Sequence, residues 1–136
     1  MASLIFVDTA WWKALLDPRD DFHDRASRQK SQIIEQKRQL VTSNYVVDET
    51  LTLIRNRVKL PCALEFRDLL SAMAGFLKII RVSAADESAA WQWFEKDWSK
   101  LSYTDCVSFA MMQRMELTEV ATFDEHFTRA GFKALE

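Results

Sequence analysis

LIFVDTAWW, residues 4–12, decides how the rest of the chain is read. SLIFV (3–7), with four apolar residues in a row, two of them β-branched, fits a strand buried on both faces. Asp8 follows at once, then Thr9, then an apolar helical pattern, TAWWKALL (9–16), closed by Asp17-Pro18. A buried strand that ends on a carboxylate and turns straight into a helix is a strand–helix unit. Desolvating an acid is costly, so the position of Asp8 calls for a reason.

The unit recurs along the chain. LVT (40–42) is a second strand, and Ser43 caps a helix whose apolar stripe is Val47, Leu51, Ile54 and Val58. Before it, residues 21–38 read as a polar helix with Phe22, Ala26, Ile33 and Ile34 as its apolar positions. Pro61 opens a helix running to about Ala74, with Gly75 as its stop, and LKIIRV (77–82) is a third strand. Ser83 with Asp86, and Ser102 with Asp105, are capping-box signals. They start a Trp-rich helix to about Trp98 and a helix over 103–115. EVAT (119–122) is a fourth strand, DEHFTRA (124–130) a short helix stopped by Gly131, and FKAL (132–135) an edge strand.

Strands separated by helices require right-handed crossovers and a sheet covered on both faces. The expected fold is a three-layer α/β/α sandwich with a mainly parallel sheet of four to five strands, spanning 1–136 as one domain. Composition agrees: the chain is 49% hydrophobic and 28% charged, and only two glycines and two prolines argue against a turn-rich sandwich or barrel.

A net charge of −2 excludes a strongly basic nucleic-acid binder, so any polyanion must be met by a local patch or a metal. Two cysteines, Cys62 and Cys106, form neither a disulfide framework nor a zinc motif. No apolar run is long enough to span a membrane and no signal-peptide pattern is visible, so a cytoplasmic setting is expected.

In such sheets ligands bind beyond the carboxyl ends of the strands. Asp8 and Asp124 follow strands one and four, an acid of the pair Asp48/Glu49 follows strand two, and Asp105 opens a helix. Parallel strands bring them to one edge. Like charges about 4 Å apart repel by roughly 4 kcal/mol at an effective dielectric of 20, so several together need raised pKa values or a cation. Oxygen ligands suit Mg²⁺ or Mn²⁺. Taken singly, Asp8, Asp105 and Asp124 are also ordinary helix caps. Periodicity does not choose between Asp48 and Glu49.

FVDTAWW (6–12), TSNYVVDETLTLIR (42–55), LSYTDCVSFAMM (101–112) and ATFDEHFTRAGF (121–132), in this order and spacing, resemble the PIN-domain ribonucleases of the VapC toxin type. The resemblance covers nearly the whole chain. It implies Asp8, Glu49, Asp105 and Asp124 as the catalytic acids, with Glu49 preferred to Asp48. It implies Asp8, Asp105 and Asp124 as holders of Mg²⁺ or Mn²⁺, and Thr9, Asn44 and Thr104 as supporting polar residues. It also implies RNA cleavage leaving a 5′-phosphate and a 3′-hydroxyl, a substrate such as transfer RNA, a homodimer and a cognate antitoxin. Relatives carry an Asp-Lys pair before the third acid; KDWSKLS (96–102) departs from this, and Asp97 is given no role.

Two other classes compete. A catalytically silent PIN-type RNA-binding scaffold would not need four intact acids. An aspartyl phosphotransferase would use Asp8 as nucleophile, but Ala10 stands where such enzymes often carry a second Asp. Trp91, Phe94 and Trp98 are read as one packing face, Trp11 and Trp12 as core, His126 as a surface helix position, and Arg25, Arg28, Lys30, Lys37 and Arg38 as a solvated basic helix.

Overall fold

The computed structural model describes residues 4–136, so Ser3 of the first predicted strand lies outside the described residues. The chain runs β1 (Leu4–Val7), α1 (Thr9–Leu16), α2 (His23–Glu35), β2 (Gln39–Ser43), α3 (Asn44–Arg57) and α4 (Leu60–Ala72). It continues with β3 (Leu77–Ile80), α5 (Ala84–Phe94), α6 (Tyr103–Arg114), β4 (Glu119–Ala121), α7 (Glu125–Arg129) and β5 (Lys133–Ala134). The five strands form one sheet in the order β3-β2-β1-β4-β5, and every pairing is parallel. This is the expected α/β/α sandwich, with the edge strand included.

The strand order reverses at β1. From β1 the chain steps outward through β2 to β3, then returns across the sheet to β4 and β5. Right-handed crossovers put α1–α4 on one face and α5–α7 on the other. Packing agrees, since α1 contacts α2, α3 and α4, while α6 contacts α5 and α7. The boundary between β1 and β4 is the switch point, where a crevice opens beyond the strand ends.

The core is built on β1 and α1. Ile5, Phe6, Val7, Trp11 and Trp12 are all fully buried. Trp12 lies tilted against Phe66 at 5.2 Å and edge-on to Trp11 at 5.3 Å. Trp11 Nε1 donates to Gln29 Oε1 at 2.9 Å, which answers the polar end of a buried indole. Both cysteines are buried and free. On the other face Arg114 reaches back to Asp86 in α5 with two bonds, 2.6 and 3.0 Å, and this guanidinium and the cap at Ser83 hold the buried carboxyl below its ordinary range although burial opposes it. Among the described residues no helix is long and apolar enough to cross a membrane.

Several boundaries differ from the sequence reading, each for a local reason. On α3 the buried positions are Val46, Thr50 and Ile54, while Leu51 is exposed. Counting only apolar residues hid the phase, because the middle of the stripe is a threonine whose hydroxyl donates to Thr9 Oγ1 at 3.3 Å. The helix after Pro61 ends at Ala72 with Met73 as its cap, and Gly75 is not in the left-handed region; Gly131, at φ +103°, is. β3 stops at Ile80 because the Val82 N–H leaves the ladder for Asn44 Oδ1, 2.8 Å away. β4 stops before Thr122, whose hydroxyl is engaged elsewhere.

Helix α5 ends at Phe94, four residues before Trp98, so Trp91, Phe94 and Trp98 do not share one helical face. Trp98 folds back on Trp93 at 6.0 Å, and Trp93 packs on Phe109 at 5.1 Å. Trp91 and Phe94 stay 53% and 44% exposed.

Candidate active site

Beyond the β1 and β4 ends lies a cleft of about 370 Å³ whose lining includes Asp8, Glu49, Asp105 and Asp124. Thus the structure brings together the four acids singled out in the sequence. It also separates Glu49 from its neighbour: Asp48 is exposed and lines a different depression with Asn44 and Arg81.

Three of the acids are helix caps and cleft acids at once. Asp8 Oδ2 accepts from the Ala10 N–H at the start of α1. Asp105 Oδ2 accepts from the Ser102 N–H while Ser102 Oγ accepts from the Asp105 N–H, a complete capping box on α6. Asp124 Oδ1 accepts from the His126 N–H on α7 at 2.9 Å. Capping and site chemistry, alternatives in the sequence, are one arrangement here. The cap fixes each carboxylate by one oxygen. Asp8 Oδ1 is left buried with no hydrogen-bond partner among the described residues.

Thr122, passed over in the sequence, holds this arrangement together. Its Oγ1 donates to Asp8 Oδ2 at 2.9 Å and accepts from the Asp124 N–H at 3.0 Å, which locks the first acid to the fourth. The signal was available as a hydroxyl residue directly after a strand, but a residue counted as the strand's last position draws no attention. Thr9 lines the cleft and is fixed by Thr50. Thr104 sits half-buried in the first turn of α6, where its carbonyl accepts from Ser108 Oγ. Asn44 stays outside the cleft and clips the start of α3 to the chain leaving β3.

His126 differs most from its sequence reading. It is half-buried, and its Nδ1 lies 3.0 Å from Asp124 Oδ1 and 3.8 Å from Asp105 Oδ2. A five-residue helix that starts on a cleft acid turns its first residues inward. Nε2 faces the Ser99 carbonyl at 2.8 Å; a carbonyl only accepts, so Nε2 carries the proton. Nδ1 faces the carboxylates of Asp124 and Asp105. One ligand atom each from Asp105, Asp124 and His126 lie within 4.8 Å of one another. An imidazole nitrogen and carboxylate oxygens that converge in this way fit a divalent cation.

Electrostatics agree. Burial, and then the neighbouring Asp105, raise the Asp8 pKa well above its ordinary value. Burial, and then Asp124, push Asp105 up to about 7. A carboxyl whose folded pKa is raised favours folding at low pH, and that contribution is lost as pH rises toward the folded value. The metal-free chain is therefore expected to melt at a lower temperature at pH 7.5 than at pH 5, and millimolar Mn²⁺ to recover the difference at pH 7.5. Asp17 and Asp86 have lowered pKa values and act in the opposite direction, but only below about pH 4, outside this window. Thermal melts at the two pH values with chelator or Mn²⁺ check this; identical curves would remove the cation from the reading.

Of the basic residues of α2 and its end, Arg25 lies 5.8 Å from the ring centroid of Phe123, which lines the cleft. Arg38 is instead paired with Glu119 at 2.8 Å, and Lys30 lines a separate cavity with Ile34 and Leu69.

Comparison with known proteins places the chain in context. The family model described as PIN domain matches residues 5–133. VapC20 of Mycobacterium tuberculosis, described as a 23S rRNA-specific endonuclease, is 32% identical over 133 residues, which is 95% of each chain. Its crystal structure, titled a sarcin-ricin loop cleaving toxin, superposes with a TM-score of 0.81 over 94% of this chain and 95% of that one. FitAcB of Neisseria gonorrhoeae (17% identical, TM-score 0.68, 97% of this chain and 96% of that one) shares the fold. So does VapBC2 of Rickettsia felis bound to a promoter DNA fragment (12% identical, TM-score 0.66, 97% of each chain).

Proposed function

The chain belongs to the PIN-domain family, and from that premise we propose that it is a divalent-metal-dependent endoribonuclease, the toxin of a toxin–antitoxin pair. The observation that carries the reading is the cleft at the β1/β4 switch point, lined by Asp8, Glu49, Asp105 and Asp124, where Asp8 Oδ1 is buried without a partner among the described residues and ligand atoms of Asp105, Asp124 and His126 lie within 4.8 Å of one another.

Asp8, Asp105 and Asp124, joined by His126, would hold Mg²⁺ or Mn²⁺. Such an ion, when bound, lowers the pKa of a nearby water and neutralises charge on the phosphate oxygens. Glu49 lines the cleft from α3 and takes the proton of the attacking water on its carboxylate. The water oxygen bonds to phosphorus, the P–O3′ bond breaks, and the departing oxygen is protonated, leaving a 5′-phosphate and a 3′-hydroxyl. Thr122 keeps Asp8 in register with Asp124 throughout, and Thr9 is held in place by Thr50. Thr104 carries its hydroxyl one residue ahead of Asp105, as a supporting group. Asn44 acts at a distance, through the start of α3.

Kinship with VapC20 favours ribosomal RNA as substrate over transfer RNA. Within the same reading a cognate antitoxin is proposed as partner, a homodimer as assembly and the cytoplasm as location. Purified chain is expected to cut a pool of total bacterial RNA in Mg²⁺ or Mn²⁺ and to stop when the ion is chelated. Intact RNA under all conditions, with a folded protein that still binds RNA, would favour the silent scaffold.

A further inference from the structure

The cleft poses a problem for a polyanionic substrate. Five carboxylates line it, Asp20 among them, the whole chain has a net charge of −2, and the one lysine in the lining, Lys13, is held by Asp17 and Asp20 at 3.1 and 2.9 Å. Neutralising phosphates, the usual source of nucleic-acid affinity, is weak here. An uncharged contribution is needed at the same place.

Two aromatic rings supply it. Phe22, in the turn between α1 and α2, and Phe123, two residues after β4, both line the cleft. Their rings are parallel within 5° with centroids 4.6 Å apart. Phe123 is half-buried against the core, whereas Phe22 is 42% exposed. Phe22 is also held in place. Its N–H donates to Asp20 Oδ1 at 2.8 Å, Lys13 grips the other oxygen of Asp20, and the next residue, His23, meets the Ala14 carbonyl through Nδ1 at 2.9 Å. An exposed apolar ring is ordinary; one fixed by its neighbours, stacked on a partner and set at the rim of an acidic cleft is a preorganised platform. Arg25 flanks it. Phe123 and Asp124 also line a second cavity of about 900 Å³ with Arg129, so the ring stands on the ridge between that cavity and the acids.

We propose that Phe22 and Phe123 form a base-stacking platform that receives an unpaired nucleobase beside the scissile phosphate, with Arg25 facing the adjoining phosphate. The platform rests on the endoribonuclease reading and names how the substrate is held. Because every base has a π-face, it selects unpaired RNA over duplex before it selects any sequence.

The test separates the two claims. With cleavage followed on RNA, Phe22→Ala is expected to raise KM roughly 5- to 100-fold with kcat little changed and an unaltered melting temperature, and Phe22→Trp to restore KM. A purely structural role would lower the melting temperature instead. Binding is read independently, in chelator, by titrating Phe22→Trp with single-stranded RNA of about 12 nucleotides and following the fluorescence of the added indole against the wild-type background. Quenching, together with weakened RNA binding by Phe22→Ala, supports the platform even where no RNA is cut, an outcome that would overturn only the nuclease reading. Equal RNA affinity of wild type and Phe22→Ala, with no quenching, overturns the platform.

Discussion

Asp8→Asn is expected to reduce RNA cleavage by at least about 10³-fold while the metal-free protein becomes more stable. Outer groups that merely orient a metal ligand are worth about 10–100-fold, so loss of a proposed metal ligand is expected to cost more. Asn retains an oxygen for the Ala10 N–H and the Thr122 hydroxyl, so the cap and the lock survive. What disappears is a buried charge facing Asp105 and Asp124, the groups that, after burial itself, raise its pKa. Relief of even a third of the roughly 4 kcal/mol repulsion between charges about 4 Å apart would raise the melting temperature by a few degrees. The two effects have opposite signs, which a simple loss of folding cannot imitate. Cleavage assays and thermal melts on one preparation check both; undiminished metal-dependent cleavage would remove Asp8 from the site.

Trp12→Ala is expected to cost about 3–5 kcal/mol, as large-to-small changes of buried aromatics do. Trp12 is fully buried between Trp11 and Phe66. A domain of this size has only about 5–15 kcal/mol in all, so the melting temperature should fall by roughly 10–20 °C. Trp12→Phe should cost far less. It keeps an aromatic ring, and the Trp12 indole N–H, buried without a hydrogen-bond partner among the described residues, gives up no bond. Thermal melts of the two variants measure the difference. Loss of α1 packing would also loosen Asp8, which caps that helix, so cleavage should fall with the folded fraction.

The strand–helix alternation was legible because parallel strands buried on both faces are continuous apolar runs, as LIFV is. Asp8, Asp105 and Asp124 were legible because they sit at element junctions, where a charge interrupts an apolar pattern, whereas Glu49, inside α3, was separated from Asp48 only by the family resemblance. Three things were not. Thr50 and Thr122 are polar residues in buried positions, and an apolar count assigns them to the wrong face or to a strand end. His126 reads as surface because its helix has too few residues to show a periodicity. The Phe22–Phe123 pair joins residues about a hundred positions apart through the sheet topology, and no local pattern carries that.

The lock between Asp8 and Thr122 has a consequence in time. β1 is the first strand to be synthesised and pairs on one side with β2, but its other neighbour is β4, residues 119–121. The Asp8 N–H itself donates to the Ala121 carbonyl at 3.1 Å. A growing chain that has made β1 to β3 holds Asp8 and Glu49 but neither Asp105, Asp124 nor the hydroxyl that fixes Asp8. Domains fold during synthesis as units, and here the unit closes only with its penultimate strand. The cleft therefore cannot assemble until β4 and the residues just beyond it have been made.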